Sequence, residues 1–237
     1  MLRNNSSANI NYLKETLRPF MIKIRIRYIM LRLPKIVLAS KSPARANVLE
    51  QIGFSFIVKP SNIDENIPFS NPKDLVTKIS SQKALTVANI LLEQQNGISA
   101  VIIACDTITV NNSGRIIGKP TSFEDAKNML EGFSNKIHEV ITGCSLLILP
   151  ERTEYQNVIT TKVKFRTLSK NEINFYLNNE KWNLRAGGYA IQDLGAILIE
   201  EIQGDYYNVV GLPIYWIWET MYAHYGDILF SLVKSRN

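Results

Sequence analysis

From Lys35 onward, short apolar runs alternate with segments of helical periodicity, and this alternation restricts the fold class more than any other feature. Residues 36–39 predict a strand, and the apolar spacing after Pro43 predicts a helix closed by Gly53. The continuous apolar run at 101–104 predicts a buried strand. Because strands and helices are interspersed and hairpins occur among them, the pattern indicates an α/β protein with a mixed sheet.

Turn and cap signals place the remaining elements. Asn71 before Pro72 predicts the start of a long helix. The turn at 112–114 predicts a hairpin, and two residue pairs have the capping-box spacing that starts a helix. The other predicted elements are a strand at 54–59, a hairpin at 140–149 and 158–165, a strand at 196–202, a final helix begun by Pro213, and helices capped by Thr121 with Glu124 and Ser169 with Glu172.

The formal net charge of +6 comes from the N-terminal end of the chain. Residues 1–35 hold eight Lys and Arg against one acidic residue, whereas residues 36–237 hold 19 basic and 20 acidic residues, a net charge of −1. A folded nucleic-acid-binding protein distributes its basic residues over a face of the domain. We therefore expect no nucleic-acid partner.

Two parts are expected, a basic extension at 1–34 and a single folded domain at 35–237. Lys or Arg interrupts the extension too often for a secretory signal. The composition favours a disordered leader or a wrongly assigned start, with Met30 as the alternative first residue. A membrane-surface or transit role for the same residues is the alternative interpretation.

No uncharged apolar run reaches the ~18 residues that a membrane span requires. The longest candidate, residues 206–218, is stopped by Glu219, so we expect no membrane partner. Cys105 and Cys144 are the only cysteines, and each has apolar neighbours. They are interpreted as buried thiols of a reducing compartment, which predicts a cytoplasmic protein.

Counting residues excludes several kinds of catalytic site. The only histidines, His138 and His224, are 86 positions apart, so no histidine-based metal cluster is expected. The chain also lacks the Gly-x-Ser-x-Gly elbow, the phosphate-binding Gly-Lys-Ser/Thr loop and the Gly-x-Gly-x-x-Gly fingerprint. Any chemistry must therefore depend on carboxylates, lysines and arginines.

Residues 40–45 lie between a predicted strand and a predicted helix, where hydroxyl groups and free backbone N–H groups converge. Such a place suits a phosphate. An ordinary helix N-cap explains Ser42 and Pro43 equally well. It does not explain why Lys41 and Arg45 crowd the same positive helix end.

Asp106 follows the apolar run at 101–104 and is therefore predicted at the carboxyl end of a strand. Open α/β sheets bind their ligands at that end of their strands. Lys119 comes after the hairpin, where the chain returns toward the same strand end, although a solvated loop lysine is the commoner role for one such residue. Glu65 taken alone is a polar loop residue. Gln192, after Gly187-Gly188, offers a donor and an acceptor that match the imide edge of uracil or thymine, with a surface glutamine as the alternative.

Taken together, eight blocks in this order resemble the Maf family of nucleoside triphosphate pyrophosphatases. The resemblance runs from Lys35 to about Tyr222. The blocks are Leu38-Ala39-Ser40-Lys41-Ser42-Pro43-Ala44-Arg45, Asp64-Glu65, Lys83-Ala84, Ala104-Cys105-Asp106-Thr107, Gly118-Lys119-Pro120, His138-Glu139-Val140-Ile141-Thr142-Gly143, Ala186-Gly187-Gly188-Tyr189-Ala190-Ile191-Gln192, and Asn208-Val209-Val210-Gly211-Leu212-Pro213.

The resemblance implies an elongated, Maf/ITPase-like α/β fold, a mixed β-sheet flanked by helices with a central cleft, in a homodimer. It implies cleavage of nucleoside triphosphates to the monophosphate and pyrophosphate, with Asp106 as the proton acceptor that activates water. Glu65 and Asp106 would bind Mg²⁺ or Mn²⁺. His138 is left as a structural residue. The implied triphosphate contacts are Ser40, Ser42, Arg45, Lys83 and Lys119.

This chain departs from the family pattern at one position that bears on the choice of substrate. The family usually carries two consecutive arginines in its first block, and Ala44 stands in the first of these places. The loss of a charged donor is expected to weaken binding by roughly 1.5 to 3 kcal/mol, or to leave room for a modified base. Thr107 and Gln192 match the branch that takes dTTP and UTP, and the 7-methyl-GTP branch has other residues in both places.

The expected activity is therefore hydrolysis of dTTP and UTP, with modified pyrimidine nucleotides as further substrates. Hydrolysis of another base such as 7-methyl-GTP, and a regulatory protein of cell division that binds nucleotide without turnover, are the alternatives. Hydrolysis of dTTP and UTP requires one wall of a cleft to be lined by Glu65, Asp106, Lys119 and the bend near Arg45.

Overall fold

The computed structural model describes residues 33–95 and 97–234. Our expectations for the basic extension therefore concern residues that lie almost wholly outside the described part. The elements below belong to one compact unit that begins at Lys35. None of the helices in the described ranges is long and apolar enough to cross a membrane.

A single mixed sheet of seven strands forms the centre of the fold. The strand order is β2-β1-β3-β5-β6-β7, with β4 paired to the end of β3. β1 is parallel to both β2 and β3, and every pairing from β3 to β7 is antiparallel. The strands are β1 (Lys35–Leu38), β2 (Phe56–Val58), β3 (Ala100–Val110), β4 (Ile116–Ile117), β5 (Ile137–Leu149), β6 (Thr153–Phe165) and β7 (Ile199–Gln203).

Helices cover both faces of this sheet. The α-helices are α1 (Pro43–Gln51), α2 (Pro72–Gln94), α3 (Phe123–Phe133), α4 (Lys170–Asn179), α5 (Tyr206–Val210) and α6 (Ile214–Tyr225). Short 3₁₀ segments occur at Trp182–Leu184, Ala186–Gly188, Asp193–Leu198 and Gly226–Leu232. The expected α/β class with a mixed sheet flanked by helices is confirmed.

The two faces of the sheet belong to different parts of the core because successive strand residues point in opposite directions. On one face, α2 packs on alternate residues of β1 and β3, such as Val37 and Ile102. On the other face, α1 and α6 pack on the residues between them, such as Leu38 and Ile103. A third apolar cluster joins α3 and α4 to the far half of the sheet around Phe165.

Most predicted boundaries are close to the observed ones. Asn71 caps α2 by accepting from two backbone N–H groups, and Ser169 forms a full capping box with Glu172, so both caps are confirmed. The cap predicted at Thr121 is wrong, because Ser122 is the N-cap residue of α3. Thr121 instead donates to the carboxylate of Asp125 through its backbone N–H and its hydroxyl.

The strand predicted at 196–202 is wrong in its first half. Residues Asp193–Leu198 form a 3₁₀ segment, and the strand begins only at Ile199. The apolar residues at 196–198 include Leu198, which is buried beside residues of β6 without strand pairing. The buried strand predicted at 101–104 is confirmed but is longer than expected, since β3 continues to Val110.

Candidate active site

The middle of β3 has an open side. Pairing with β1 ends at Ile103, and pairing with β4 begins at Thr109. Between these points β3 pairs only with β5 among the described strands, with Asp106 opposite Gly143 and Thr107 opposite Thr142. We call residues 105–108 the open edge of β3. Asp106 thus lies inside a strand rather than at its end, but just beyond the point where the parallel neighbour stops.

Asp106 points toward α2, where Lys83 forms an ion pair with it. Lys83 Nζ lies 2.8 Å from Asp106 Oδ1 and 2.7 Å from Glu65 Oε1. The side chains of Lys83 and Asp106 are 9% and 12% exposed, whereas Glu65, on the loop before α2, is 57% exposed. Removing either partner of a buried pair leaves an uncompensated charge, so the carboxylate and the ammonium fix each other in place.

Gly143 makes this approach of α2 to the sheet possible. A Cβ at position 143 would collide with the backbone carbonyl of Val76 in α2. Gly143 lies directly opposite Asp106 in the β3–β5 pair. The absence of a side chain there lets α2 come close enough to the sheet for Lys83 to reach Asp106.

Thr107 points to the opposite face, where the guanidinium of Arg45 meets it. Arg45 donates from Nη2 to Thr107 Oγ1 at 3.0 Å and from Nη1 to Ser40 Oγ at 3.0 Å. Its Nε donates to the carbonyl of Gly211 at 2.7 Å. Three of the five guanidinium N–H groups are thus used within the protein, and one remains on each terminal nitrogen.

The turn from β1 into α1 has both of the features that the sequence suggested, a helix N-cap and hydroxyl groups gathered at the start of the helix. Ser42 is the N-cap of α1, and its Oγ accepts from the backbone N–H of Arg45 at 3.5 Å. Ser40 is buried, and its Oγ accepts from the backbone N–H of Ser42 at 3.1 Å. Lys41 is exposed and Ala44 is buried.

Lys119 follows β4 on the side of the open edge. The register that pairs Thr109 with Ile117, continued by two residues, places Lys119 opposite Thr107. The carbonyl of Gly118 accepts from the backbone N–H of Gly187 at 2.9 Å, which joins this turn to the Gly187-Gly188 segment. Within 33–95 and 97–234, the exposed ammonium of Lys119 has no ion pair.

The Gly187-Gly188 segment requires glycine for its backbone conformation. Gly187 has a φ of 75°, and a Cβ there would lie 3.1 Å from the ring of Phe133 and 3.5 Å from the methyl group of Thr109. Gln192, half-buried, begins the next 3₁₀ segment. In the described part of the chain its side chain makes no hydrogen bond within the protein, so its amide is available.

His138 and Tyr189 connect this segment to β5. His138 Nε2 and Tyr189 Oη lie 2.6 Å apart in a cluster with Phe133 and Phe165. Burial lowers the pKa of His138 to about 4, so the ring is neutral at physiological pH. The surroundings of His138 agree with the structural role expected for it.

The predicted residues thus form two groups on opposite faces of β3. Lys83, Asp106 and Glu65 meet on the α2 face, and Arg45, Ser40 and Thr107 meet on the α1 face. One shared wall was expected, and the alternation of side chains along a strand explains the difference. The two groups adjoin at the open edge, where consecutive residues of β3 carry them.

Three further residues lie beside Arg45, Ser40 and Thr107 on the α1 face, and the sequence blocks contain them without a role. Thr142 and Asn208 are fully buried, and Gly211 supplies the carbonyl that binds Arg45. For Thr142 the sequence shows a local signal, a polar residue directly after the apolar pair Val140-Ile141 of the same strand. For Asn208 and Gly211 the contacts span more than 60 positions of sequence, which no local pattern shows.

Only a small set of carboxylates could hold a metal ion here. Across the residues that the structure describes, no group of three or more His, Cys, Asp or Glu side chains gathers at one point. Glu65 and Asp106 both contact Lys83, so two carboxylate oxygens already face one positive charge. Carboxylate oxygens are the donors that hard divalent cations prefer.

Comparison with known proteins identifies the family of this chain. The family described as Maf-like protein matches residues 35–224. A dTTP/UTP pyrophosphatase of Thermosipho africanus is 44% identical over 79% of this chain and 92% of its own length. Proteins of the same name from Pyrococcus furiosus and Clostridioides difficile are 45% and 38% identical, over 76% and 82% of this chain and 90% and 97% of their own lengths. The chain belongs to the Maf-like protein family.

Proposed function

We propose that this protein hydrolyses dTTP and UTP to the nucleoside monophosphate and pyrophosphate. The observation that carries the proposal is the buried Lys83–Asp106 pair, with Glu65 on the same ammonium, beside the Arg45–Thr107 group. Relatives at 38–45% identity bear the name dTTP/UTP pyrophosphatase, which supports the choice of reaction and substrates.

Asp106 is proposed as the proton acceptor. Lys83 binds its Oδ1, and no hydrogen bond within the described residues uses Oδ2, which is left to orient a water molecule. The water attacks the α-phosphorus and gives its proton to the carboxylate, while pyrophosphate leaves. Lys83 holds the carboxylate in one orientation, so little reorganisation is needed when the proton moves.

Cationic and hydroxyl groups are proposed to bind the triphosphate. Ser40 Oγ accepts two hydrogen bonds within the protein, so its own hydrogen remains for a phosphate oxygen. The two unused N–H groups of Arg45, the Ser42 hydroxyl and the Lys119 ammonium supply further donors. Negative charge builds up on phosphate oxygens during cleavage, and cations stabilise it.

A divalent cation, Mg²⁺ or Mn²⁺, is proposed as the cofactor, and the donor set fits it. Glu65 and Asp106 offer hard carboxylate oxygens that already face a common positive charge. These two residues would hold the ion, with water and phosphate oxygens completing its coordination. When bound, the ion would polarise a phosphoryl oxygen as a Lewis acid.

Thr107, Gln192 and Ala44 are proposed to determine the base. The free amide of Gln192 can pair with the imide edge of uracil or thymine. Ala44 in place of an arginine removes one donor, and modified pyrimidine nucleotides are the proposed additional substrates. Their hydrolysis would keep such nucleotides out of nucleic acid.

The test is pyrophosphate release over a panel of nucleoside triphosphates with Mg²⁺ or Mn²⁺. We expect dTTP and UTP to be the best substrates, and Asp106→Asn to lower kcat by about 10² or more. Asp227→Asn, an exposed carboxylate near the C-terminus, is the matched control and should retain full activity. Unchanged turnover in Asp106→Asn would remove Asp106 from its role.

The regulatory alternative has its own outcome in the same experiment. Saturable binding of dTTP without turnover under either metal would favour a nucleotide-binding protein that acts through a partner. Preferential hydrolysis of 7-methyl-GTP would show that the proposed base preference is wrong and that the proposed reaction, pyrophosphate release, is right.

A homodimer in the cytoplasm is the proposed state of the protein. The exposed aromatic side chains of Tyr215 and Phe230, 72% and 53% exposed, offer an apolar surface for self-association. Cys105 and Cys144 are free thiols, which suits a reducing compartment. Light scattering in solution would measure the assembly, and a monomer at micromolar concentration would contradict it.

A further inference from the structure

The buried Thr142 has no role in the sections above, and its hydroxyl lies within hydrogen-bond distance of the Thr107 hydroxyl. We infer that Thr142 is a positioning residue that makes the Thr107 hydroxyl a hydrogen-bond acceptor toward the substrate base. The inference rests on the proposed function and names what that site would select. It follows from a chain of hydrogen bonds that crosses from α1 through β3 and β5 to α5.

The chain consists of three contacts. Arg45 Nη2 lies 3.0 Å from Thr107 Oγ1, which lies 2.9 Å from Thr142 Oγ1. Thr142 Oγ1 in turn lies 3.3 Å from the backbone carbonyl oxygen of Asn208. Thr107 and Thr142 are paired residues of β3 and β5, so their side chains share one face of the sheet.

The groups at the two ends of this chain have fixed roles, and the direction is inferred from the arrangement that uses both hydroxyl hydrogens within it. A guanidinium can only donate and a carbonyl can only accept. Thr142 is fully buried, so its single hydroxyl hydrogen must bind either Thr107 or Asn208. Only one arrangement uses both hydroxyl hydrogens within the chain. In it Arg45 donates to Thr107, Thr107 donates to Thr142, and Thr142 donates to the carbonyl of Asn208.

Asn208 is held firmly enough to anchor the chain. Its side-chain Nδ2 donates to the carbonyl of Val140 and to Thr161 Oγ1, both at 3.0 Å. Its backbone carbonyl also accepts from the backbone N–H of Gly211 at 3.0 Å. The acceptor at the end of the chain therefore belongs to a segment bound to β5, to β6 and to the Arg45-binding turn.

In this arrangement the hydroxyl of Thr107 can make only one more kind of hydrogen bond, as an acceptor. One of its lone pairs accepts from Arg45 and its hydrogen is committed to Thr142, so the remaining lone pair can only accept. Ser40 provides the contrast, since its Oγ accepts twice and keeps a hydrogen to donate. The same guanidinium thus leaves a donor on one hydroxyl and an acceptor on the other.

An acceptor at Thr107 selects a substrate that presents a donor. The imide N3–H of uracil and thymine is a donor, whereas N3 of cytosine carries a lone pair. A committed acceptor repels that lone pair, because the Thr107 hydroxyl cannot turn round without breaking its bond to Thr142. The inferred selection is therefore for bases with an N3–H group and against cytosine.

The experiment compares kcat/KM for UTP with kcat/KM for CTP in Thr142→Val and Thr142→Ser. Valine keeps the shape of threonine but cannot accept the Thr107 hydrogen, so the hydroxyl becomes free to donate. We expect the UTP-to-CTP ratio to fall about tenfold in Thr142→Val, through KM for the two substrates rather than through kcat. Thr142→Ser should restore the ratio.

Two further variants separate orientation from packing. Thr107→Val should lose the same selectivity, and the double variant should lose no more than either single one, because both act through one hydroxyl. Ser145→Ala removes another buried hydroxyl of β5, one that donates to Glu154 and lies outside the chain of hydrogen bonds. It should lower stability and leave the ratio unchanged.

Three results would overturn the inference: an unchanged ratio in Thr142→Val, an equal loss in Thr142→Ser, or an equal loss in Ser145→Ala. Each would assign the effect to packing or to another group. Absence of pyrophosphate release from every nucleotide in the unmodified protein would instead refute the proposed function. Dissociation constants for UTP and CTP, measured by calorimetry on the same variants, would then supply the ratio.

Discussion

At the residue scale, the Lys83–Asp106 pair combines burial with charge. Two opposite charges taken out of water stabilise a fold only while both are present. The position of Lys83 on α2 and of Asp106 on β3 means that this pair also joins a helix to the central strand. Its loss should therefore affect stability as well as activity.

We expect Lys83→Met to lower the free energy of unfolding by about 3 kcal/mol, because Asp106 is left buried without a partner. The double variant Lys83→Met/Asp106→Asn should recover part of this loss, since the unpaired charge is gone. Urea unfolding measures both. A double variant less stable than Lys83→Met would contradict the role of the charge.

His138 predicts a pH dependence of stability. Burial lowers its pKa from 6.5 to about 4, so between these values the unfolded chain binds a proton that the folded protein does not. Stability is thus complete above about pH 6.5 and falls by about 3 kcal/mol as the pH drops to 4.

The measurement is urea unfolding at pH 7 and pH 4 for the natural protein and for His138→Gln. Carboxylates contribute to acid unfolding in both proteins, so the stability difference between the two isolates the histidine. That difference should shrink by about 3 kcal/mol at the lower pH. A difference that stays constant would show that His138 titrates normally.

At the element scale, the approach of α2 to β5 depends on a single missing side chain. We expect Gly143→Ala to lower the free energy of unfolding by about 3 kcal/mol and to reduce activity, because α2 must move away and take Lys83 with it. Gly132→Ala in α3 is the control, since a Cβ there meets no atom within 4 Å.

The control should raise stability by about 0.5 to 1 kcal/mol, because alanine favours a helix more than glycine does. Urea unfolding and pyrophosphate release are measured on both variants. Equal effects of the two substitutions would contradict the close packing at Gly143.

Local signals predicted most elements but not their extent. Asn71 and Ser169 mark helix starts in the sequence because their side-chain caps act over two or three residues, and Pro213 marks one because its fixed φ suits a helix start. The continuation of β3 past Cys105 depends on its pairing with β5, which lies about 40 positions away. Thr107, Ile108 and Val110 continue the β pattern in the sequence, but the partner strand that determines the length of β3 leaves no local signal.

At the scale of the whole molecule, the candidate site was predicted as a set of residues but not as an arrangement. Arg45 and Asp106 are singled out by residue type and place in the predicted elements, whereas Lys83 comes only from the resemblance to the family. The division between the two faces of β3 follows from the alternation of side chains along the strand. The internal partners of Arg45, including Gly211, needed the folded chain.

The N-terminal extension supplies a prediction at the same scale. The family match begins at Lys35, and every site residue discussed above lies after it. A chain that starts at Met30 should therefore keep the same Tm and the same kcat/KM for dTTP. A loss of either in calorimetry or in the pyrophosphate assay would assign the extension a part in folding or catalysis.

The open edge of β3 has an evolutionary consequence. Under the proposed function, neighbouring side chains of one strand would serve bond cleavage and base choice from opposite faces of the sheet. We then expect mutations around Thr107 and Ala44 to change which nucleotide is accepted while the residues around Asp106 stay the same. A layout of this kind is modular, and new specificities can arise from it by drift on a single side.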